Sequence, residues 1–401
     1  MKRVIIISII FCTSQFSILR AQTIILKNPT ALQRHEVVEI PQAIMQLPHQ
    51  TFILRDAFGI EQTYQLTHDG KLLIFASVRP YGTATYSIEP GKPAPTESYI
   101  FTKCYPERLD DIVIENDRTG YRFYGPALQR KGERGFGIDL WLKNTPKLII
   151  DSLYRLEFSL HPQIAALRQQ ERFREADSLT VLTSFHLNHG IGMDCYNVGP
   201  TLGCGTPALI DGDSISFPWC YDTFQVVENG PLRLTLQMDF SPADKGKYGR
   251  LVVEHRLVTL DRGSNFCQMK VWYSRLTTPA DACAGFVIHA ADTTSLVIEQ
   301  DFIHYADPTG DPQRQNCQIY VGVLFPYGVD SVRKLMFDTP TNGNAGHALG
   351  VRNALENDEV FTYYFGSAWS QYDVRSQDEW NLRIRDFITC KHSPMEVDVN
   401  D

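Results

Sequence analysis

The sequence predicts an all-β protein built mainly of antiparallel strands. Short runs rich in Val, Ile, Leu, Phe and Tyr recur along the 401 residues, turn dipeptides separate them, and helical periodicity is sparse.

Four hairpins follow from that pattern. Tyr64 to Thr67 and Leu72 to Phe75 flank Asp69-Gly70, and Ala208 to Ile210 and Ile215 to Phe217 flank Asp211-Gly212. Phe224 to Val227 and Leu232 to Phe240 flank Asn229-Gly230, and Arg250 to Leu260 and Phe266 to Tyr273 flank Arg262-Gly263. In the first two, glycine supplies the positive φ that a tight turn needs. Two helices are expected. Gln163 to Leu179 is charged with a weak apolar stripe and reads as a surface insertion, and a second begins at the capping box Ser376/Glu379 and carries Trp380, Ile384, Phe387 and Ile388 on one face.

Residues 1–22 read as a signal peptide: Lys2 and Arg3, the apolar run Val4 to Phe11, and a polar stretch closing near Ala21. The bulky Phe11 disfavours lipidation at Cys12. A periplasmic or secreted protein is expected, with no integral membrane segment, because no later stretch of the roughly 20 residues a spanning helix needs lacks charges. The Pro/Gly-rich stretch Glu89 to Pro95 suggests a small N-terminal β region over 23–98 and a main body over 99–401.

Loss of Lys2, Arg3 and Arg20 with the leader would move the formal charge from -8 to -11, which disfavours nucleic acid as a partner. A phosphate-loop pattern is absent, which disfavours nucleotides. Of nine cysteines, the eight after Cys12 permit disulfides in an exported chain, but their spacing fits no structural zinc site, and several read as buried thiols. No cofactor is expected, with room left for a divalent cation.

Two segments look unlike scaffold. Between Arg108 and Lys143, Asp111, Glu115, Asn116, Arg118, Arg122, Arg134 and Asp139 alternate with Tyr121, Phe123, Tyr124 and Trp141. Aromatic faces take the C–H faces of a pyranose, while carboxylates, amides and guanidinium groups satisfy its hydroxyls, and a uronate adds a bidentate arginine contact. The bland alternative is that Ile112, Ile114, Tyr121 and Phe123 are core residues and the charges face solvent. The second segment, Phe185 to Cys220, is dense in glycine, which implies close backbone approach, and brings His186, His189, Asp194 and Tyr196 near one another in sequence. Trp219, Trp369 and Trp380 read first as core anchors, with Trp369 the best candidate for stacking on sugar.

Several motifs, in order, resemble the domain of unknown function 4861 family: ERLDDIVIENDRTGYRFYGPAL (Glu107 to Leu128), GIDLWLK (Gly137 to Lys143), HGIGMDCYNVGPTLGCG (His189 to Gly205), ENGPLR (Glu228 to Arg233) and YYFGSAWSQY (Tyr363 to Tyr372). The resemblance runs from about Asn28 to Val399; Val113, Ile114 and Cys195 depart from its pattern without removing a candidate catalytic group. It implies a Bacteroidetes protein of polysaccharide utilisation with a large antiparallel β-supersandwich of the galactose-mutarotase type, few short helices, and a poly- or oligosaccharide partner.

The leading functional expectation is cleavage of a glycosidic bond in a uronate-containing glycan. As a lyase, Arg118, Arg122 or Arg134 would neutralise the uronate while His189 or Tyr196, with His186 and Asp194 nearby, abstracts the proton. As a hydrolase, two of Asp111, Glu115, Asp139 and Asp194 would act together. Binding without catalysis, through the same polar groups with Tyr124, Trp141 and Trp369, is the alternative from another class, and a mutarotase or epimerase is the third.

Overall fold

The structure, a computed structural model, describes residues 22–45, 51–308 and 316–400; the leader reading, apart from Gln22, falls outside them. Every named strand pairing is antiparallel, as the turn chemistry predicts, and all four expected hairpins form. Eight strands build the largest sheet, in the order 221–229, 233–240, 253–261, 266–274, 361–369, 319–324, 302–307 and 296–298. Two five-stranded sheets face the same core. One runs 214–216, 204–211, 280–288, 344–355, 331–341, and the other 192–193, 139–143, 120–123, 111–116, 100–105. Ile114, Phe123, Leu140, Leu236, Val258, Phe286, Val321 and Phe365, drawn from all three sheets, meet in one buried cluster. This is the large β-supersandwich.

A smaller sandwich precedes it. Strands 396–400, 22–27, 83–90, 52–56 and 61–62 form one sheet and 34–40, 72–78 and 64–66 the other, around Ile24, Leu54, Ile74 and Ile88. The chain's last strand, Glu396–Asn400, pairs with Gln22–Lys27, so both ends of the described chain meet in this sheet.

The helices depart from expectation. α1 (Pro126–Arg130) is a single turn, but α2 (Ile150–Gln169) and α3 (Phe173–Thr183) form a helical hairpin where one surface helix over 163–179 was expected. The expected start, Gln163, falls just after Pro162, which sits inside α2. The apolar stripe Ile150, Leu153 and Tyr154 overrides it, packing on Val113, Trp141 and Phe185, at about 1.5–3 kcal/mol for each large side chain buried. "Few" helices therefore holds and "short" does not. α4 (Gln377–His392) starts at Ser376, whose hydroxyl accepts from Glu379 N at 3.2 Å, and lays Trp380, Ile384 and Ile388 on the eight-stranded sheet as expected.

Cys104, Cys204, Cys220, Cys267, Cys283 and Cys390 are free thiols, with Cys204, Cys220, Cys267 and Cys283 buried. No described helix is long and apolar enough to cross a membrane.

Candidate functional site

Strands 111–116, 120–123 and 139–143 are buried on both faces. Alternation sends Ile112, Ile114, Tyr121 and Phe123 into the main core, as the bland reading held. The charged residues between them do not meet solvent, because α2 covers the opposite face with Tyr154 reaching Arg122.

Two sets of residues result. Glu115 accepts from the backbone N–H groups of Ile149 and Ile150 at 2.7 and 3.1 Å, which caps the N-terminus of α2 from another strand. It also pairs with buried Lys143 at 2.7 Å. Asn116 staples the turn at 117–119 through Arg118 N and Thr119 N and donates to the carbonyls of Asp261 and Ser264 at 2.7 and 2.8 Å. Trp141 packs against Tyr154 and Phe185. These three expected sugar contacts are scaffold.

The second set gathers on Arg122, which is 3% exposed. Its guanidinium pairs with Asp139, with Asp194 at 2.7 Å and with Asp111 at 3.8 Å, and donates to the hydroxyls of Tyr154 and Tyr124 at 3.2 and 3.4 Å. Tyr124 donates to Asp139 at 2.9 Å. Burial pushes the Asp111 carboxyl up to about 7 against the pull of Arg122 and Arg108, and burial likewise lifts Asp139 to about 6. Asp111 Oδ2 and Arg122 Nε have no hydrogen-bond partner among the described residues. Arg122 is thus unavailable to a uronate.

Asp194 arrives through the glycine-rich segment. Gly192–Met193 pairs with Leu142 and Lys143. At Gly192, φ is +145° and a Cβ would lie 2.1 Å from the carbonyl of Leu142, so only glycine lets the chain approach. Asp194 N then donates to Phe185 O at 2.9 Å, closing a loop that holds both candidate histidines. His186 Nδ1 donates to the carbonyl of Asp194 at 2.9 Å, with Asp194 Oδ2 3.7 Å away. A carbonyl only accepts, so Nδ1 carries the proton and Nε2 offers a lone pair on a side chain that is 54% exposed. His189 Nε2 donates to Ser184 O at 3.0 Å on the same exposed turn.

The remaining candidates scatter. Tyr196 is buried, donates to Gly203 O at 3.2 Å and is pushed well above the ordinary phenol range by burial, which removes it as a base. Arg118 pairs with Asp373, away from the Arg122 cluster. Arg134 is exposed and makes no ion pair among the described residues. Trp369 is buried and donates to Asn316 O at 2.6 Å, so it cannot stack on sugar; Trp380 is buried too. Trp219 is the exposed one, at 60%, tilted 6.3 Å from Phe136. Phe136 follows Gly135, where a Cβ would come within 3.0 Å of the Tyr124 ring.

Sequence reasoning missed Tyr154, whose place on the i, i+3, i+4 stripe of Ile150 and Leu153 was readable, and Arg108, 3.8 Å from Asp111. It also missed His289, buried with Nδ1 2.7 Å from Asp307 and Nε2 2.6 Å from Asn197 O, which braces the glycine-rich loop and has no local sequence signal. Among the described residues no group of three or more His, Cys, Asp or Glu is arranged to hold a metal ion.

A family model described as a domain of unknown function (DUF4861) matches residues 26–397. The chain belongs to that family. A relative, "Uncharacterized protein P7" of Formosa agariphila, is 23% identical, with all of both chains covered. Among solved structures, a glycosyl hydrolase family 38 protein from Enterococcus faecalis is 9% identical with a TM-score of 0.49, covering 95% of this chain and 47% of its own. An alpha-mannosidase from Enterococcus faecalis V583 is 10% identical with a TM-score of 0.48, covering 95% and 46%. The DUF4861 chain thus spans about half the length of those two structures, and at these scores the likeness bears on neither its fold nor its activity.

Proposed function

We propose that this DUF4861 protein is an enzyme of polysaccharide breakdown, exported to the periplasm or beyond, that cleaves a uronate-containing glycan with His186 as general base. The observation that carries the reading is the fixed tautomer of His186. Asp194, itself held by Arg122, accepts the Nδ1 proton through its carbonyl and leaves an exposed Nε2 to take a proton from substrate. Arg134, exposed and without an ion pair among the described residues, replaces Arg122 as the group that meets the uronate. It lies two residues before Phe136, which with Trp219 forms an aromatic platform beside Tyr124. Tyr124, Asp139, Arg122 and Asp194 connect that platform to His186 in one bonded chain.

Binding without catalysis is favoured by one feature, the fully buried carboxyls of Asp111 and Asp139, which no solvent-borne group reaches in this conformation. The test is a panel of uronate-rich and neutral polysaccharides. Ultraviolet absorbance of unsaturated uronates, abolished in His186→Asn, supports a lyase, and reducing ends alone support a hydrolase. Retained binding with neither product sinks the enzymatic reading.

A further inference from the structure

The outer face of the eight-stranded sheet holds a constellation unrelated to the Arg122 cluster. Asp239 of strand Arg233–Phe240 lies directly opposite His255 of strand Val253–Asp261, and His255 lies opposite Trp272 of strand Phe266–Ser274. Ser274, two residues on from Trp272, points to the same face. His255 Nδ1 lies 2.6 Å from Asp239 Oδ1, and His255 Nε2 lies 2.9 Å from Ser274 Oγ. The carboxylate accepts from Nδ1, so Nε2 carries the lone pair and accepts from the serine hydroxyl. The ring is fixed further by stacking on Trp272, 5.2 Å between centroids at 12°, and Gln237 donates to Asp239 Oδ2 at 3.2 Å. His255 is 21% exposed and Asp239 35%, so solvent reaches the group.

We propose that Ser274, His255 and Asp239 form a nucleophilic triad that hydrolyses carboxylic esters. A nucleophile bonded to a base that a third group orients is the arrangement on which such catalysis depends. Ser274 Oγ adds to the ester carbonyl as its proton passes to His255 Nε2. The C–O bond to the alcohol then breaks, the leaving oxygen takes that proton, and acyl-Ser274 remains. Water adds to the acyl carbon, giving a proton to Nε2; the acid departs, and Ser274 Oγ recovers the proton. Arg275 follows Ser274 at φ +64°, a left-handed conformation that is uncommon outside glycine, and its exposed side chain makes no ion pair among the described residues. It is the exposed cation next in sequence to the proposed nucleophile.

The same sheet face supplies a place for the rest of the substrate. A cleft of about 560 Å³ between the N-terminal sandwich and this sheet is floored by Leu257, Thr259, Gln268 and Lys270, the next outward positions along the two strands from His255 and Trp272. Lys270 has no ion pair among the described residues, and Lys391 lies over the rings of Tyr364 and Phe387. Aromatic walls with unneutralised ammonium groups suit an acidic glycan bearing ester substituents. That choice of substrate rests on the carbohydrate reading above, whereas the triad does not.

The experiment uses the full chain with p-nitrophenyl acetate and, separately, a fluorophosphonate label read by peptide mass. A covalent adduct on Ser274, lost in Ser274→Ala together with at least about 100-fold in kcat/KM, is expected. Asp239→Asn should lower the labelling rate without removing the adduct. No adduct on Ser274 in the wild-type chain, or unchanged hydrolysis by a Ser274→Ala variant that melts as the wild type does, overturns the triad. Both probes lack sugar, so failure on glycans with success here refutes only the carbohydrate reading.

Discussion

Replacing Asp111 by Asn tests whether the Arg122 cluster is electrostatically strained. Asp111 is held near 7 by burial and falls to about 3.9 on unfolding. Between those values the folded chain keeps a proton that the unfolded chain has lost, so stability falls as pH rises, by about 1.4 kcal/mol per pH unit. Asparagine keeps the shape and can accept the 3.1 Å bond from Gly125 N, but it does not titrate. Arg122 retains Asp139 and Asp194 as partners. The stability of Asp111→Asn relative to wild type should therefore rise by about 3 kcal/mol between pH 5 and pH 8, with the titration of Asp139 common to both proteins. Urea unfolding of both proteins across that range measures it. Parallel pH profiles, within about 0.5 kcal/mol, would refute the claim that burial dominates the two flanking arginines.

Three further outcomes follow from the same contacts. Glu115→Gln strands the buried ammonium of Lys143 and weakens the cap on α2, and should cost about 3–5 kcal/mol in urea unfolding. Trp219→Ala removes an exposed ring that supports nothing in the core, so it should leave the melting temperature unchanged while weakening glycan affinity about tenfold by calorimetry. His289 is buried, which opposes its charge, but Asp307 raises its pKa above the ordinary imidazole value. Its contribution is therefore fully present below about pH 6.5 and lost as pH rises through the folded pKa, and His289→Asn should flatten that part of the stability profile.

The fold class was legible because turn chemistry and alternation are local. Asp69-Gly70, Asp211-Gly212 and Asn229-Gly230 each mark a hairpin that forms, and Ser376 with Glu379 marks the start of α4. The N-terminal half of α2 escaped the sequence reading, because Pro162 stands inside it and only tertiary packing of Ile150, Leu153 and Tyr154 outweighs the cost of a proline there. That one misreading misplaced half of the site. Without α2 the charges of strands 111–116 and 120–123 would face solvent and sugar; with it, Glu115 becomes a cap and Arg122 a buried hub. The tryptophans show the same limit. Gly366-Ser367-Ala368-Trp369 looks like a loop, but it is paired strand with Trp369 inside, while Trp219 stands exposed beside two consecutive residues, Cys220 and Tyr221, that are buried.

The Arg122 cluster makes little sense as a device for stability alone. Three buried carboxyls on one buried guanidinium cost more in desolvation than well-packed apolar residues of the same volume would, and Asp111 responds by holding its proton toward neutrality. What the cluster does achieve is position. Arg122 fixes Asp194, and the backbone of Asp194 sets the tautomer of His186 at the surface. A substitution at Arg122 should for that reason act on His186 as well as on folding. Arg122→Met, which fills the space without the charge, should shift the pH dependence of any His186-dependent activity, whereas a purely structural cluster would change stability and leave the profile in place.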